Sequence, residues 1–376
     1  MDLLNSVIHR ARLLNDVPES AALAYTDHRD QLTGQVDERL EHRPDLHELI
    51  GEGSLDMMRD NHRNHASFMT TIFKLNSFTL LARIIPWVYR TYHAHGFSHD
   101  YFPVELKAWQ EAIQNQLPPD QASPLLSVYE WMLSEHDTMI ELAGREELDF
   151  SMAIAEHWRL QMEAFVQALV QGRSRECQQL ALDALHVAGR LDEVYLNLIQ
   201  PAMYEVGRLW ETGAISVARE HLASSIVSRI ISLLYLKQET SGIEPRGKAV
   251  ITSAPNEFHE IGAWIVSDLL EQDGWEVHYL GANTPQDDLL AMLREVRPDF
   301  VAISVTMPFN LAQARDLIRT LKSSSPASDG IRIMIGGGLF NRNPELCEAI
   351  GGDGCAADGK QAVELARSWF HKGADA

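Results

Sequence analysis

The strongest constraint on the fold lies in the last third of the chain, where short apolar runs alternate five times with helix-like runs. The apolar runs fall near 249–253, 276–280, 300–305, 332–335 and 354–357, and helical patterns fill the gaps, ending with 361–371. Strands that are apolar on both faces need cover on both faces, and a helix between successive strands lays them parallel. The pattern predicts a doubly wound, flavodoxin-like Rossmann domain over 245–376. In such sheets ligands bind outside the carboxyl ends of the strands. That directs attention to Glu257-Phe258-His259-Glu260-Ile261-Gly262, which follows the first strand-like run and opens a helical run from 259 to about 271. A histidine there points into the crevice, and imidazole is the commonest metal ligand. Glu257, two residues earlier, is expected to accept a hydrogen bond from the other ring nitrogen, which would fix the tautomer and raise the ligand's basicity. Taken alone, the six residues also suit a helix start with a solvated histidine.

The rest of the chain reads as helical. Its 376 residues suggest two or three domains. In residues 1–150 glycine and proline are sparse until Pro86, and apolar residues recur at helical spacing through Phe68, Met69, Ile72, Phe73 and Leu75 and on through Leu80, Leu81, Ile84 and Ile85. Pro86 is expected to kink or break that helix. This part holds ten of the sixteen histidines, including His62 and His65 at helical spacing with Arg63 between them. It also holds a dense aromatic set: Trp87, Tyr89, Tyr92, Phe97, Tyr101, Phe102 and Trp109. Core packing is the default account of that set, and a flat ligand pocket is the sharper one. Residues 151–244 contain four helical runs, 152–171, 176–186, 191–211 and 216–236, with short connections that predict a four-helix bundle. Ser174 is expected to be an N-cap, and Pro201 to mark a break. Residues 241–247 read as a linker.

Composition narrows the function. The formal charge is −21 and no Lys/Arg cluster appears, which argues against direct nucleic-acid binding. No run of eighteen apolar residues occurs, so no membrane span is expected. The start lacks the basic end and apolar block of a signal peptide. The three cysteines, Cys177, Cys347 and Cys355, are not spaced as a zinc site. The cytoplasm is the expected compartment.

The stretch 257–262 resembles the ExHxxG/DxHxxG signature of cobalamin-binding Rossmann domains. Ser304-Val305-Thr306 and Gly336-Gly337-Gly338 follow in the family's order, each at the end of a strand-like run. The resemblance implies that His259 is the lower ligand of cobalt. It also implies that the displaced benzimidazole tail passes Ser304, Thr306, Gly336 and Gly337, where backbone without Cβ atoms leaves room. In the bundle, Trp210 and Glu220-His221 resemble the Trp-x9-Glu-His signature of the helical cap in CarH-type and AerR-type light-sensing cobalamin proteins. That likeness implies adenosylcobalamin as cofactor. Trp210 would wall the adenosyl group, Glu220 would contact it, and His221 would bind cobalt after light. Corrinoid carriers of methyltransferase systems share this two-domain module and are the alternative.

A helical front domain on such a module resembles the photocobilins, photoreceptors that hold cobalamin and a bilin. It departs from the CarH type, whose front domain binds DNA, so DNA-binding repression is not carried over. The resemblance implies biliverdin held without a thioether, since no cysteine precedes Cys177. His62, Arg63 and His65 would then be its first contacts. A haem-binding globin-like domain and a purely structural domain compete with that reading. The expectation is a light sensor rather than an enzyme, signalling through a partner protein, a neighbouring enzyme or a homo-oligomer interface.

Overall fold

The computed structural model describes residues 2–51, 53–145, 155–237, 245–323 and 331–374. The chain forms two compact units, Met1–Asp149 with Glu211–Ala214, and Phe150–Trp210 with Ile215–Ala376. Among the described residues, no helix is long and apolar enough to cross a membrane.

The first unit is helical throughout its described residues, from Leu3–Ala11 to His136–Ala143. Its longest helices are Leu55–Leu75 and Phe78–Ala94. They are separated at Asn76, which takes a left-handed conformation (φ 50°) that asparagine tolerates. The Asn76 side chain also accepts the Val17 amide at 2.8 Å, tying the corner to the N-terminal segment. Contrary to expectation, Pro86 lies inside Phe78–Ala94 and does not break it. Proline removes one backbone donor, and the burial of Leu81, Ala82, Ile85 and Tyr89 around it holds the helix together. Tyr25, Phe73, Tyr101, Trp109 and Tyr129 are fully buried, so much of the unit's aromatic content is core.

The second unit opens with the bundle: Glu156–Val170, Ser174–Ala188, Leu191–Glu211 in three continuous pieces, and Val217–Tyr235. The predicted start of the first helix, at 152–154, lies outside the described residues, as does most of the 241–247 linker. Ser174 is the first helical residue rather than the cap, and Arg173 takes the cap position. The turn is made by Gly172, whose φ of 71° suits glycine. Pro201 stands in the first turn of the last of these pieces, Gln200–Glu211, where regular helix resumes after the expected break. The irregularity is a π turn at Tyr195–Ile199, just upstream. Proline has no amide to offer the preceding turn, and a wider turn accommodates the missing bond.

The sheet holds β1 (Lys248–Ser253), β2 (Glu276–Tyr279), β3 (Phe300–Ser304), β4 (Arg332–Gly336) and β5 (Gly354–Ala356). All neighbours pair in parallel, in the order β2-β1-β3-β4-β5. The order reverses between β1 and β3, which is where open α/β sheets bind ligands. Register aligns Ser253, Ser304, Gly336 and Ala356 in one row along the carboxyl edge. The helix after β1 is Ile261–Gln272, so it begins two residues later than the sequence pattern suggests and leaves His259 on the loop.

The bundle and the sheet domain share apolar packing, because Ile265 and Leu269 of the Ile261–Gln272 helix join the bundle core. Two hydrogen bonds reinforce it. Tyr195, from the π turn, donates to Asp268 at 2.5 Å, and Tyr235 donates to Glu271. Burial pushes the Asp268 carboxyl up to about 7; the Tyr195 bond opposes this and the charge of Glu271 adds to it. An unfolded aspartate titrates near ~3.9. The folded protein therefore keeps a proton that the unfolded chain has lost. Asp268 is least costly below the unfolded value, and its contribution declines as pH rises through about 7. Asp268→Asn keeps an acceptor for Tyr195 and removes the charge. Thermal melts should show the variant more stable than the parent by ~1–2 kcal/mol above neutrality, with the gap closing toward pH ~4. A gap that is constant with pH would contradict this assignment.

Candidate functional site

Glu257 is fully buried on the loop that leaves β1. The loop turns at Asn256, in the left-handed region at φ 62°, with its amide donating to Asn283 Oδ1 at 2.9 Å. This turn sends the Glu257 side chain under the ends of β1 and β3. There Oε2 accepts from the Thr306 amide at 2.9 Å, the Met307 amide at 2.8 Å and Asn310 Nδ2 at 3.2 Å. Oε1 accepts from the His259 amide at 3.1 Å and His259 Nδ1 at 2.6 Å. A buried charge is tolerated when its lone pairs are met. Burial alone would raise the Glu257 pKa, but the bond and charge of His259 and the two backbone amides hold it below the ordinary value.

The His259 side chain is 58% exposed, in contrast to its partner. An ionised carboxylate only accepts, so Nδ1 carries a proton, and in the neutral ring Nε2 keeps its lone pair. Burial works against protonation of this ring, but the bond to Glu257, its charge and the charge of Glu220 together lift the pKa above its ordinary value. Phe258, between Glu257 and His259, is 70% exposed, an apolar ring open to solvent. At Gly262 a Cβ would meet nothing within 4 Å, so the first turn of the following helix also borders open space.

The bundle repeats this arrangement. Glu220 Oε2 lies 2.6 Å from His221 Nδ1, and Ser224 Oγ donates to Oε1 at 2.7 Å. His221 is 74% exposed and Glu220 26%. Trp210 is half-buried and packs against the bundle core. The second unit thus holds two exposed imidazoles, each fixed through Nδ1 by a glutamate.

The glycines carry a different message from the one expected. A Cβ on Gly337 would stand 2.3 Å from the Val305 carbonyl oxygen, and its φ of 105° is itself unfavourable for other residues. A Cβ on Gly336 would lie 3.1 Å from the Ala356 carbonyl oxygen. The chain's own strand ends require Gly337, whatever else passes beside it. Ser304 and Thr306 are half-buried at the same edge.

In the first unit, His62 is sealed in the core, with Nδ1 2.5 Å from Asp37 and Nε2 2.8 Å from the Tyr101 hydroxyl. His65 contacts the Tyr129 hydroxyl at 3.0 Å. Arg63 faces outward and pairs with Asp60, so the structure does not bring it to the two histidines. Two residues that hold the site in the second unit were not singled out in the sequence. Ser224 lies one helical turn from Glu220, a spacing that could have revealed it. Asn310 reaches Glu257 from a loop beyond β3, for which no local signal exists.

A family described as "B12 binding domain" matches residues 247–367, and a second with the same description matches 161–235. The HTH-type transcriptional repressor CarH of Myxococcus xanthus is 31% identical over 214 residues, covering 56% of this chain and 67% of that protein. Dimethylamine corrinoid protein 3 of Methanosarcina mazei is 30% identical over 166 residues, 44% of this chain and 98% of that protein. The chain belongs to the B12-binding family. Dimethylamine corrinoid protein 1 of Methanosarcina acetivorans is also similar, at 29% identity over 48% of this chain and 84% of its own length. This is a cobalamin-binding protein, and the donor set of the second unit fits that cofactor: an exposed imidazole with a free nitrogen, an exposed apolar ring and open space above the helix start.

Gly337→Ala should destabilise this B12-binding domain by about 1–3 kcal/mol from backbone strain alone, before any clash with Val305. Thermal denaturation without cofactor measures it. An unchanged melting temperature would show that the strand ends relax more easily than their geometry implies.

Proposed function

We propose that the chain is a light-responsive protein that holds adenosylcobalamin between the bundle and the carboxyl edge of the sheet. The observation that carries this reading is the second carboxylate-tied imidazole, His221 with Glu220, on the same unit as His259 with Glu257. His259 would bind cobalt from below through Nε2, with Glu257 setting its tautomer and orientation. Adenosylcobalamin supplies, when bound, a cobalt–carbon bond that visible light breaks. Trp210 would wall the upper ligand's space, and Glu220 would contact that ligand while Ser224 and His221 hold its carboxylate. His221 would offer the cofactor a second imidazole. Contacts of the bundle that differ between dark and light would supply the free-energy difference that any switch requires. The signal would pass to a partner protein, a neighbouring enzyme or a second copy of the chain.

The alternative is a corrinoid methyl carrier, favoured by the similarity to the two dimethylamine corrinoid proteins. A carrier requires His259 and gives no role to the Glu220–His221 pair. Biliverdin in the front unit belongs to the same proposal through the photocobilin resemblance and the density of aromatic rings and histidines. His62 and His65 are engaged inside the core and Arg63 pairs at the surface, so a bilin would need other contacts first. Saturation with biliverdin and a scan for far-red absorbance tests that part; no far-red band removes it.

The cobalamin reading predicts that His259→Ala weakens adenosylcobalamin binding and abolishes the spectrum of the histidine-ligated form. Glu257→Gln should weaken affinity by about 10–100-fold, as loss of an orienting partner does. His221→Ala should leave the dark spectrum intact and change that of the illuminated protein. An illuminated His221→Ala sample identical to the parent, together with methyl transfer from methylcobalamin in the dark, would establish the carrier instead.

A further inference from the structure

The core of the first unit contains a hydrogen-bonded set to which the proposed cobalamin site gives no role. The buried rings Tyr101, Trp109 and Tyr129 present their hydroxyl or ring N–H to His62, Glu105 and His65. Tyr101 and Trp109 lie on one face of the helix Tyr101–Gln116, two turns apart, with Glu105 between them. The imidazoles on the opposing helix, Leu55–Leu75, are those of His62 and His65.

The most complete arrangement is at Tyr101. Its hydroxyl lies 2.8 Å from His62 Nε2, and His62 Nδ1 lies 2.5 Å from Asp37 Oδ1. Asn61 Nδ2 lies 3.1 Å from the same hydroxyl. An amide N–H only donates, so the Tyr101 oxygen accepts from Asn61 and its proton points at His62. Asp37 accepts from Nδ1, so Nε2 is the acceptor. Tyr101 and His62 are fully buried, whereas Asp37 is partly open to solvent. Burial, with the nearby Glu105 charge, holds the Tyr101 pKa well above its ordinary value, although the Asn61 bond opposes this. The phenol therefore does not ionise by simple titration. It can lose its proton when it loses an electron, because oxidation makes a phenol strongly acidic.

The neighbouring rings are arranged alike. Trp109 Nε1 donates to Glu105 Oε1 at 3.2 Å. Tyr129 lies 3.0 Å from His65 Nε2 and 3.3 Å from the Tyr25 hydroxyl. Burial, with the nearby His62, lowers the His65 pKa to about 3, so this ring is neutral. His65 stacks on Trp109 at 5.1 Å between centroids, and Trp109 lies 6.5 Å from both Tyr25 and His62. Packing explains aromatic rings in a core. It does not require that Tyr101, Trp109 and Tyr129 each meet an imidazole or a carboxylate, and a buried polar network is costly unless complete.

We propose that this network makes Tyr101 a redox-active tyrosine, oxidised by one electron with transfer of its proton to His62, and that Trp109 relays the charge. Tyr101 gives one electron to a one-electron oxidant of the photoexcited-pigment or high-valent metal-complex class. The O–H bond breaks and the proton forms an N–H bond at His62 Nε2. The products are a neutral tyrosyl radical, an imidazolium whose other N–H still faces Asp37, and an oxidant reduced by one electron. Asp37 stabilises the imidazolium, and the reverse transfer restores the starting state when the radical is reduced.

The test is flash-quench oxidation of the full-length protein by photogenerated trivalent tris(bipyridine)ruthenium, read by transient absorption and electron paramagnetic resonance. The parent should give one dominant, long-lived neutral tyrosyl radical. Tyr101→Phe should remove it, and Trp109→Phe should slow its appearance. His62→Gln and Asp37→Asn should shorten its lifetime about tenfold or more, the change expected when roughly 1.4 kcal/mol of stabilisation is lost. These two variants are read on an intact Tyr101, so they decide the matter even if Tyr101→Phe fails to fold. The same radical yield in Tyr101→Phe, or an unchanged lifetime in both His62→Gln and Asp37→Asn, would overturn the proposal.

Discussion

A single buried carboxylate organises the B12-binding unit. Glu257 joins two segments distant in sequence: its own loop after β1, and the stretch after β3 that supplies the Thr306 and Met307 amides and the Asn310 side chain. Each acceptor position is met by a donor, which is the condition for keeping a charge out of water. The arrangement works in both directions. The strand ends hold Glu257, and Glu257 holds the His259 ring through Nδ1. The fold creates the reversal of strand order between β1 and β3, and the carboxylate fixes an imidazole on the loop beside it.

Much of the second unit was legible in the sequence. Apolar runs buried on both faces mark β1, β3 and β4, while β2 and β5 at the sheet margins are mostly half-buried, and the order of His259, Ser304, Thr306 and the glycines places them at one sheet edge, where register aligns Ser304 with Gly336. What sequence patterns could not show were contacts made across the fold. Asn310 is one such residue. The cause of Gly337 is another, since only the structure shows the Val305 carbonyl in the place of its Cβ. Proline was over-read once, at Pro86. Pro86 sits in a helix held by its buried neighbours, and Pro201 follows a π turn that absorbs the lost bond. Local propensity is a weak prior against such packing.

The first unit shows the same limit more sharply. The surplus of histidine and aromatic residues was visible, and so was the shared helix face of His62 and His65. Their destination was not. The His62 ring lies inside the core against Asp37 and Tyr101, while its neighbour Arg63 faces outward and pairs with Asp60. In the second unit, the same kind of cross-fold contact links bundle to sheet domain. The π turn that carries Tyr195 reaches Asp268 on the helix that starts just after His259. Any movement of the bundle must therefore reckon with a hydrogen bond to that helix.

The central claim is that cobalt is bound by a protein imidazole, that of His259. The direct measurement is electron paramagnetic resonance of the protein loaded with divalent cobalt cobalamin, made once with ordinary histidine and once with histidine carrying the heavy nitrogen isotope. If His259 is the axial ligand, the nitrogen splitting on the cobalt lines changes its multiplicity with the labelled histidine, and it does so no longer in His259→Ala. Splitting that ignores the label would show that the cofactor keeps its own benzimidazole, and the account of the site would be wrong.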